Sequence, residues 1–411
     1  MSKDNKSFFK EKNSWSEIKD RLLGSYLPAY FQKVLMTHRP ILYVDCFAGK
    51  GKFDDNKDGS PRIALRVREE RLNATNADIG SATIDVCFIE LNHADELTQN
   101  VSDFNIEHGE KIIISGRYEE EIEKLLSEKK EYNVFLYIDP YGIRELDFDL
   151  LVKFSTYELN SIEMLINMNT FGFFRAACQV MQVDKVQQDE AFQDSSEIVE
   201  YDPTEFDEST KSKDLLNSIA GGTYWQAIVQ DYKSGVLDGY KAERRFSTEY
   251  KQHLRQHYKY VLDMPIRMKP NHRPKYRMIH VSNHEHGCIL MADNIASRKD
   301  ELFIDIQDEG QTSLFDQTAE NDIISPEGIQ QKMHDLLKSY PQGIHANKLL
   351  AEFYTEYGVL CKSGKVKSVW KTMEDSGLIE VSRVPSTTSA GRKSRFYEET
   401  KGKTVTIKRR A

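Results

Sequence analysis

The features this 411-residue sequence lacks already narrow its class. No apolar run approaches the ~20 residues that span a bilayer. The opening Met1–Lys12 is charged and polar, unlike a signal peptide. Together these predict no membrane association and a cytoplasmic chain. Cysteine is scarce: Cys46, Cys87, Cys178, Cys288 and Cys361 are scattered and form no C-x-x-C pair. That spacing argues against a disulfide framework and against a structural zinc site built from cysteines. A positive balance is missing as well. The formal net charge of −9 argues, by itself, against a nucleic-acid partner.

The average charge hides a split. From Pro326 onward there are 16 Lys and Arg against 9 Asp and Glu, a net of +7, which leaves −16 for the rest. An acidic body with a basic end suggests an appended module for nucleic acid or an acidic partner. A solvated basic end with no partner would have the same composition. The length implies more than one core. The expected division is 1–300, a linker at 301–325 and a basic domain at 326–411.

Hydrophobic periodicity orders the first part. Trp15–Met36 carries Ile18, Leu22, Leu23, Tyr26, Leu27, Tyr30, Val34 and Leu35 at helical spacing. Pro40 closes that element, and Ile41–Phe47 is a short buried-strand run. Ser60-Pro61 marks the start of a helix through Leu72. Further strands are expected at Thr83–Ile89, Lys111–Ile114, Val134–Ile138 and Ile162–Met168. Helices at His93–Asn100, Tyr118–Glu128 and Asp147–Phe154 separate them. Such alternation predicts an α/β fold, a mainly parallel sheet covered on both faces. An acidic stretch, about 183–213, is expected to be irregular. A helical block at Tyr224–Tyr258 follows. Tyr260–Met268 and Tyr276–Ser282 then flank Pro270, Asn271 and Pro274, which predicts an antiparallel hairpin. A parallel sheet ending in a hairpin distinguishes a Rossmann-like class I methyltransferase sheet from a dinucleotide dehydrogenase.

The chemistry is expected at the carboxyl ends of the strands. Asp45-Cys46-Phe47-Ala48-Gly49-Lys50-Gly51 follows the first, and its two glycines let a ligand approach the backbone closely. Asp45 can accept from the amino group of S-adenosyl-L-methionine. Glu90, ending the second strand, can take both ribose hydroxyls. Ser115 stands at the third strand end, where many methyltransferases keep an Asp. The fourth strand ends in Asp139-Pro140-Tyr141-Gly142, a near match to the acid-or-amide, proline, proline, aromatic pattern of amine-directed enzymes, with Tyr141 in the second-proline slot. In that pattern the first residue and the proline carbonyl accept from the target amine, and the aromatic stacks on a planar substrate. A tight strand-to-helix turn with a capping Asp is the structural alternative. Methyl transfer from a sulfonium needs mainly positioning.

These blocks carry a family resemblance. Lys19 with Tyr26-Leu27, Tyr43 to Gly51, Gly59-Ser60-Pro61 with Ala64-Leu65, Phe88-Ile89-Glu90, Asp139 to Gly142, Leu165-Ile166-Asn167, and Tyr276 to His284 with Met291 occur in order over about Ser16–Ala292. In this series the chain resembles the three-Cys-motif partner family of bacterial and phage-associated proteins. The resemblance implies a methyltransferase-like fold, distantly similar to ribosomal-RNA adenine-amine methyltransferases. It also implies a genomically linked three-Cys-motif protein as a candidate partner. It names no substrate.

Other residues extend the candidate site. Asn167, Arg175 and His284 are candidate rim residues near cofactor or substrate. His280, His284, His286 and Cys288 resemble a zinc set, but their spacing straddles a strand end with no second half, so no metal is expected. The C-terminal domain reads as a winged helix: helices at Pro326–Tyr340, from Gly343, and at Lys362–Ser376, then Gly377–Val381 paired with Arg395-Phe396-Tyr397. Lys365, Lys367 and Lys371 on the third helix, with Arg392, Lys393 and Arg395 on the wing, form a candidate phosphate-contacting surface for DNA or RNA. Winged helices also serve as protein-binding modules. Within the linker, Gln311, Leu314 and Phe315 resemble the Q-x-x-L-F peptide that docks on the bacterial sliding clamp.

Three function classes follow. One is a methyltransferase acting on a nucleic-acid amino group. Another is a catalytically inactive methyltransferase fold serving as a binding component. The third is a nucleic-acid-processing part of a phage, mobile-element or defence cassette that acts with a partner.

Overall fold

The computed structural model describes residues 12, 14–74, 82–187, 189, 206–207, 209–266, 276–308 and 324–410. The chain divides into two compact units, 1–259 with 264–281, and 260–263 with 282–411. Among the described residues no helix is long and apolar enough to cross a membrane.

The first unit alternates strands and helices as the periodicity predicts. In order come α1 (Ser14–Leu35), β1 (Ile41–Asp45), α2 (Ser60–Ala74), β2 (Ile84–Glu90), α3 (Ala94–Asn100), β3 (Lys111–Ser115), α4 (Tyr118–Ser127) and β4 (Asn133–Ile138). Then follow α5 (Phe148–Lys153), β5 (Ser161–Met168), α6 (Thr170–Val180), α7 (Thr210–Ala220), α8 (Tyr224–Lys233), α9 (Gly239–Arg255), β6 (Tyr260–Ile266, whose first four residues fall in the second unit) and β7 (Tyr276–Ser282). The seven strands form one sheet in the order β3-β2-β1-β4-β5-β7-β6. Strands β1 to β5 are parallel, with Ile41 opposite both Ile84 and Asn133, Val86 opposite Lys111, and Asn133 opposite Ser161. This is a mixed α/β unit with a mostly parallel sheet, consistent with a Rossmann-like fold.

Burial explains the pattern. β1 and β4 are buried at every position, as parallel strands covered on both faces must be. At the edge, β3 is only half-buried along Lys111–Ile114. α1 buries Leu22, Leu23, Tyr26, Leu27 and Tyr30, and the Tyr26, Tyr30 and Tyr43 rings gather around Phe135 at 5.1–6.0 Å. Asp147 caps α5 by accepting from the Asp149 and Leu150 amides. Two interior polar networks cross between elements. Arg277 of β7 donates through Nε and Nη2 to Glu243 of α9, which also accepts from Thr170. Glu163 of β5 takes the Tyr26 hydroxyl and lies 3.1 Å from His280 Nε2. Part of the expected irregular stretch is ordered: a 3-10 turn spans Asp184–Gln187, and α7 starts at Thr210, capped by Ser209.

The second unit contains α10 (Glu285–Asp308), α11 (Pro326–Leu337), β8 (Ile344–His345), α12 (Ala346–Tyr357), α13 (Ser363–Asp375), β9 (Ile379–Val384) and β10 (Thr404–Arg409). The helix ending at Asp308 extends eight residues into the segment expected as a linker from 301. Ser325 caps α11 by accepting from the Gly328 amide, with Pro326 in the first turn.

One pairing needs correction. The strand returning on β9 is Thr404–Arg409 rather than Arg395-Phe396-Tyr397, and β10 lies between β8 and β9. The alternation explains why: Val405 and Ile407 turn into the core, whereas Arg395 is exposed and the Phe396 and Tyr397 rings are half-buried. That stretch is instead held by side chains. Arg383 donates to the Phe396 carbonyl and, with Tyr397, to the carboxylate of Glu374.

Candidate functional site

Parallel strands β1 to β5 bring Asp45, Glu90, Ser115, Asp139 and Asn167 to their carboxyl ends. The turn after β1 is fixed on both sides: the Cys46 amide donates to the Tyr137 carbonyl at 2.9 Å, and the Ala48 amide to the Ile89 carbonyl at 3.1 Å. Gly49 and Gly51 both have positive φ, 59° and 74°. A Cβ on Gly51 would stand 2.8 Å from Leu97 Cδ1, so a side chain here would have to move that leucine in addition to adopting a left-handed backbone conformation. Phe47 packs its ring 5.1 Å from that of Tyr118.

Glu90 gathers the loops around it. Its Oε2 accepts from the Gly49 amide at 2.8 Å, and its Oε1 from the Asn92 and His93 amides at 2.9 and 3.1 Å. A carboxylate offers about four acceptor positions, so roughly one remains for another donor. Leu91 follows it, 48% exposed, as an apolar surface beside this acid. Ser115, opposite Glu90 in register, is exposed.

The end of β4 is closed in an unexpected way. Lys19 Nζ, on α1, donates to both Asp139 oxygens at 2.7 and 2.8 Å. Asn167 Nδ2 adds a bond to Oδ1 at 2.7 Å, and the Tyr137 hydroxyl one to Oδ2 at 3.2 Å. The ammonium also lies 5.6 Å from the centre of the Tyr276 ring. The pair is largely withdrawn from water, with side-chain exposures of 9% and 19%. Pro140 is buried, and Tyr141 and Gly142 are half-buried. Asn167 is 3% exposed, and its Oδ1 makes no hydrogen bond.

A second ion pair adjoins the first on α1. Lys12 Nζ lies 2.5 Å from Asp20 Oδ2 and also reaches the Asp58 carbonyl, which ties the loop after Gly51 to the helix. Burial raises Asp20 to a pKa of about 6 even with Lys12 beside it. Asp45 is fully buried. Its Oδ1 accepts a 3.3 Å bond from the Phe47 amide, the Ser60 hydroxyl lies close enough to act on the carboxyl, and Oδ2 makes no hydrogen bond among the described residues. Burial pushes its pKa up to about 7; the Ser60 hydroxyl and Phe47 amide offset this in part, and nearby Asp139 and Asp20 add to it.

The remaining predicted residues lie elsewhere. Arg175 is half-buried on α6. His280 is buried against Glu163. His284 belongs to the second unit, where its exposed ring stacks on His286 at 5.2 Å, and Cys288 Sγ faces the Ala351 carbonyl. Among the described residues no group of three or more His, Cys, Asp or Glu is placed to hold a metal. Of the basic residues, Lys365 donates to the Ile324 carbonyl and Lys367 to Glu398. Lys371, Arg392, Lys393 and Arg395 are exposed. Gln311, Leu314 and Phe315 lie outside the described residues.

Asp20 is a site residue that the motifs miss, and Lys19, which opens the series of blocks carrying the resemblance, had no site role assigned to it. A second signal for Lys19 is that it continues the apolar stripe of Leu22, Leu23, Tyr26 and Tyr30, a cation where burial predicts none. No family model and no curated protein matches the chain.

Proposed function

We propose that the first unit is an S-adenosyl-L-methionine-dependent methyltransferase fold acting on a nucleic-acid amino group, and that the chain belongs with the three-Cys-motif partner proteins it resembles. The observation that carries the reading is the Glu90 junction: one acid at the end of β2 holds the Gly49 amide of the β1 turn, within a parallel sheet continued by β7 and β6. The residues fit the cofactor in two respects. Asp45 Oδ2 is a buried acceptor without a donor, suited to an ammonium group, and Glu90, with three amides on it, keeps roughly one acceptor position, enough for one ribose hydroxyl and not for the pair expected from the sequence. Bound there, the cofactor would supply a methyl group on a good leaving group.

The chain's own residues then orient the target. Separating Lys19 from Asp139 would cost about 3–5 kcal/mol. A hydrogen bond from a neutral amine returns only about 1 kcal/mol. Such an amine therefore does not displace Lys19. Asp139 fixes the turn, the Pro140 carbonyl accepts from the amine, and Tyr141 offers a face for stacking. The second unit, read as a winged helix, brings nucleic acid through Lys371, Arg392, Lys393 and Arg395. A cytoplasmic setting accords with this role.

Titration calorimetry with S-adenosyl-L-methionine tests the reading. Binding is expected for the wild type and a loss of at least tenfold for Gly49→Arg. No detectable wild-type binding would sink it. A second reading, a binding component of a phage or defence cassette without catalysis, is favoured by the Lys19–Asp139 closure and by Ser115 in place of an acid. Methyl transfer to DNA and RNA panels, with and without the three-Cys-motif protein, separates the two.

A further inference from the structure

Among the described residues, the polar interior behind the site is one positive charge short. Three carboxylates, Asp20, Asp45 and Asp139, interact there with two ammonium groups. Lys12 is committed to Asp20 at 2.5 Å and Lys19 to both oxygens of Asp139 at 2.7–2.8 Å. Among the described residues Asp45 has no ion-pair partner, and its Oδ2 is unused. Among the described residues, the charged groups that act most on Asp45 are the like charges of Asp139 and Asp20. α1 contributes Asp20 and Lys19, with Lys12 preceding it, and α2 the Ser60 hydroxyl. β1 contributes Tyr43 and Cys46, β2 Cys87, and β4 Tyr137 and Asp139. Two further buried polar atoms in this region, Tyr43 Oη and Asn167 Oδ1, also make no hydrogen bond.

We propose that this cluster is a proton-exchanging ammonium site: in the ligand-free protein Asp45 retains a proton, and it releases that proton to solvent when the ammonium end of S-adenosyl-L-methionine arrives. The proposal rests on the cofactor reading above and adds the coupling. No covalent bond to carbon changes; one proton leaves the carboxyl for buffer and one fixed cation takes over its compensating role. Burial supports the exchange by holding Asp45 near neutrality, at about 7, with Asp20 close behind at about 6. An ammonium about 5 Å away, at an effective dielectric near 20, lowers such a carboxyl by roughly two pH units. That is enough to empty a group that titrates at neutral pH. A carboxylate with an ordinary pKa would have no proton to give.

The experiment is calorimetry of S-adenosyl-L-methionine binding to the full chain at pH 6.5, in buffers of differing ionisation enthalpy. At that pH the ligand's α-amino group, which titrates near ~8, is already protonated. Any proton release therefore comes from the protein. The expected result is release of at least half a proton per ligand bound, with affinity about fivefold weaker at pH 6 than at pH 8, where half of the ligand's amino groups have lost their proton. In Asp20→Asn, which removes one of the two like charges near Asp45, the release should fall. In Asp45→Asn it should vanish. A wild-type heat that is independent of buffer, or proton uptake, overturns the coupling and leaves the cofactor reading standing. Absence of wild-type binding overturns both. The wild-type buffer series decides the matter even if a variant fails to fold.

Discussion

The two units treat their charged residues differently. In the second, charged side chains tie segments together: Asp293 holds both the Ser363 amide and hydroxyl, and Glu399 takes the Asn347 and Val405 amides. Arg383 joins Glu374 to the segment around Tyr397. Lys371, Arg392, Lys393 and Arg395 are at the surface. In the first unit, charge is carried inside, under the ends of the strands, and there it does not balance: Asp45 is buried without a counter-ion among the described residues. A basic exterior suits a large anionic partner that need not enter the fold. A charge-deficient interior suits a small cation that does.

The contrast can be broken, beginning with its largest effect. Arg277→Met would leave Glu243 buried and unpaired, an expected loss of about 3–5 kcal/mol. Arg383→Met in the second unit should cost less, on the order of 1–2 kcal/mol, because Glu374 keeps 22% of its side-chain surface in water and the Tyr397 hydroxyl as a donor. Chemical denaturation of both variants checks the order, and equal losses would break the contrast.

Next is the pH dependence of Asp45. Its folded pKa of about 7 lies above its ordinary value, so the native state binds the proton more tightly than the unfolded chain. Its stabilising contribution is complete below pH ~4 and is lost as pH rises to 7. Asp45→Asn should therefore gain on the wild type across that window, by roughly 3 kcal/mol. A constant difference between the two from pH 4 to 7 would contradict the buried, uncompensated carboxyl.

The smallest expected change in stability comes from replacing Lys371, Arg392, Lys393 and Arg395 with alanine. Each exposed site should alter stability by no more than ~0.5 kcal/mol. Nucleic-acid affinity should nevertheless fall, and the slope of log affinity against log salt should shrink by about 0.9 for each phosphate no longer neutralised. An unchanged slope would remove these four residues from the proposed interface.

Much of the first unit was legible in the sequence because parallel strands buried on both faces must be continuous apolar runs. β1 and β4 follow that rule, β2 and β5 follow it apart from buried Asp85, Glu163 and Asn167, and the ends of all four fall within about two residues of expectation. The local motif around Gly49 and Gly51 was legible for the same reason: positive φ is written into residue type. Partners distant in sequence were not. Asp139 was identified, but the lysine that occupies it lies 120 residues earlier. The wing failed similarly. Phe396-Tyr397 has an apolar local composition, yet only the alternation of Val405 and Ile407 against β9 fixes which segment returns. Pairing is decided by the surface a strand meets, and local composition does not record it.

The edge strand β3 has a further consequence. Its Ile112-Ile113-Ile114 run is a half-covered row of β-branched side chains at the open side of a sheet, the kind of segment that recruits strands from other molecules. Lys111 stands at one end of the run, its ammonium turned back onto the Val101 and Phe104 carbonyls, and Ser115-Gly116 stands at the other. These polar ends keep the exposed row to three residues, short of the roughly five to seven that favour self-association. An apolar replacement of Lys111 would lengthen the row, and its expected effect is a loss of solubility.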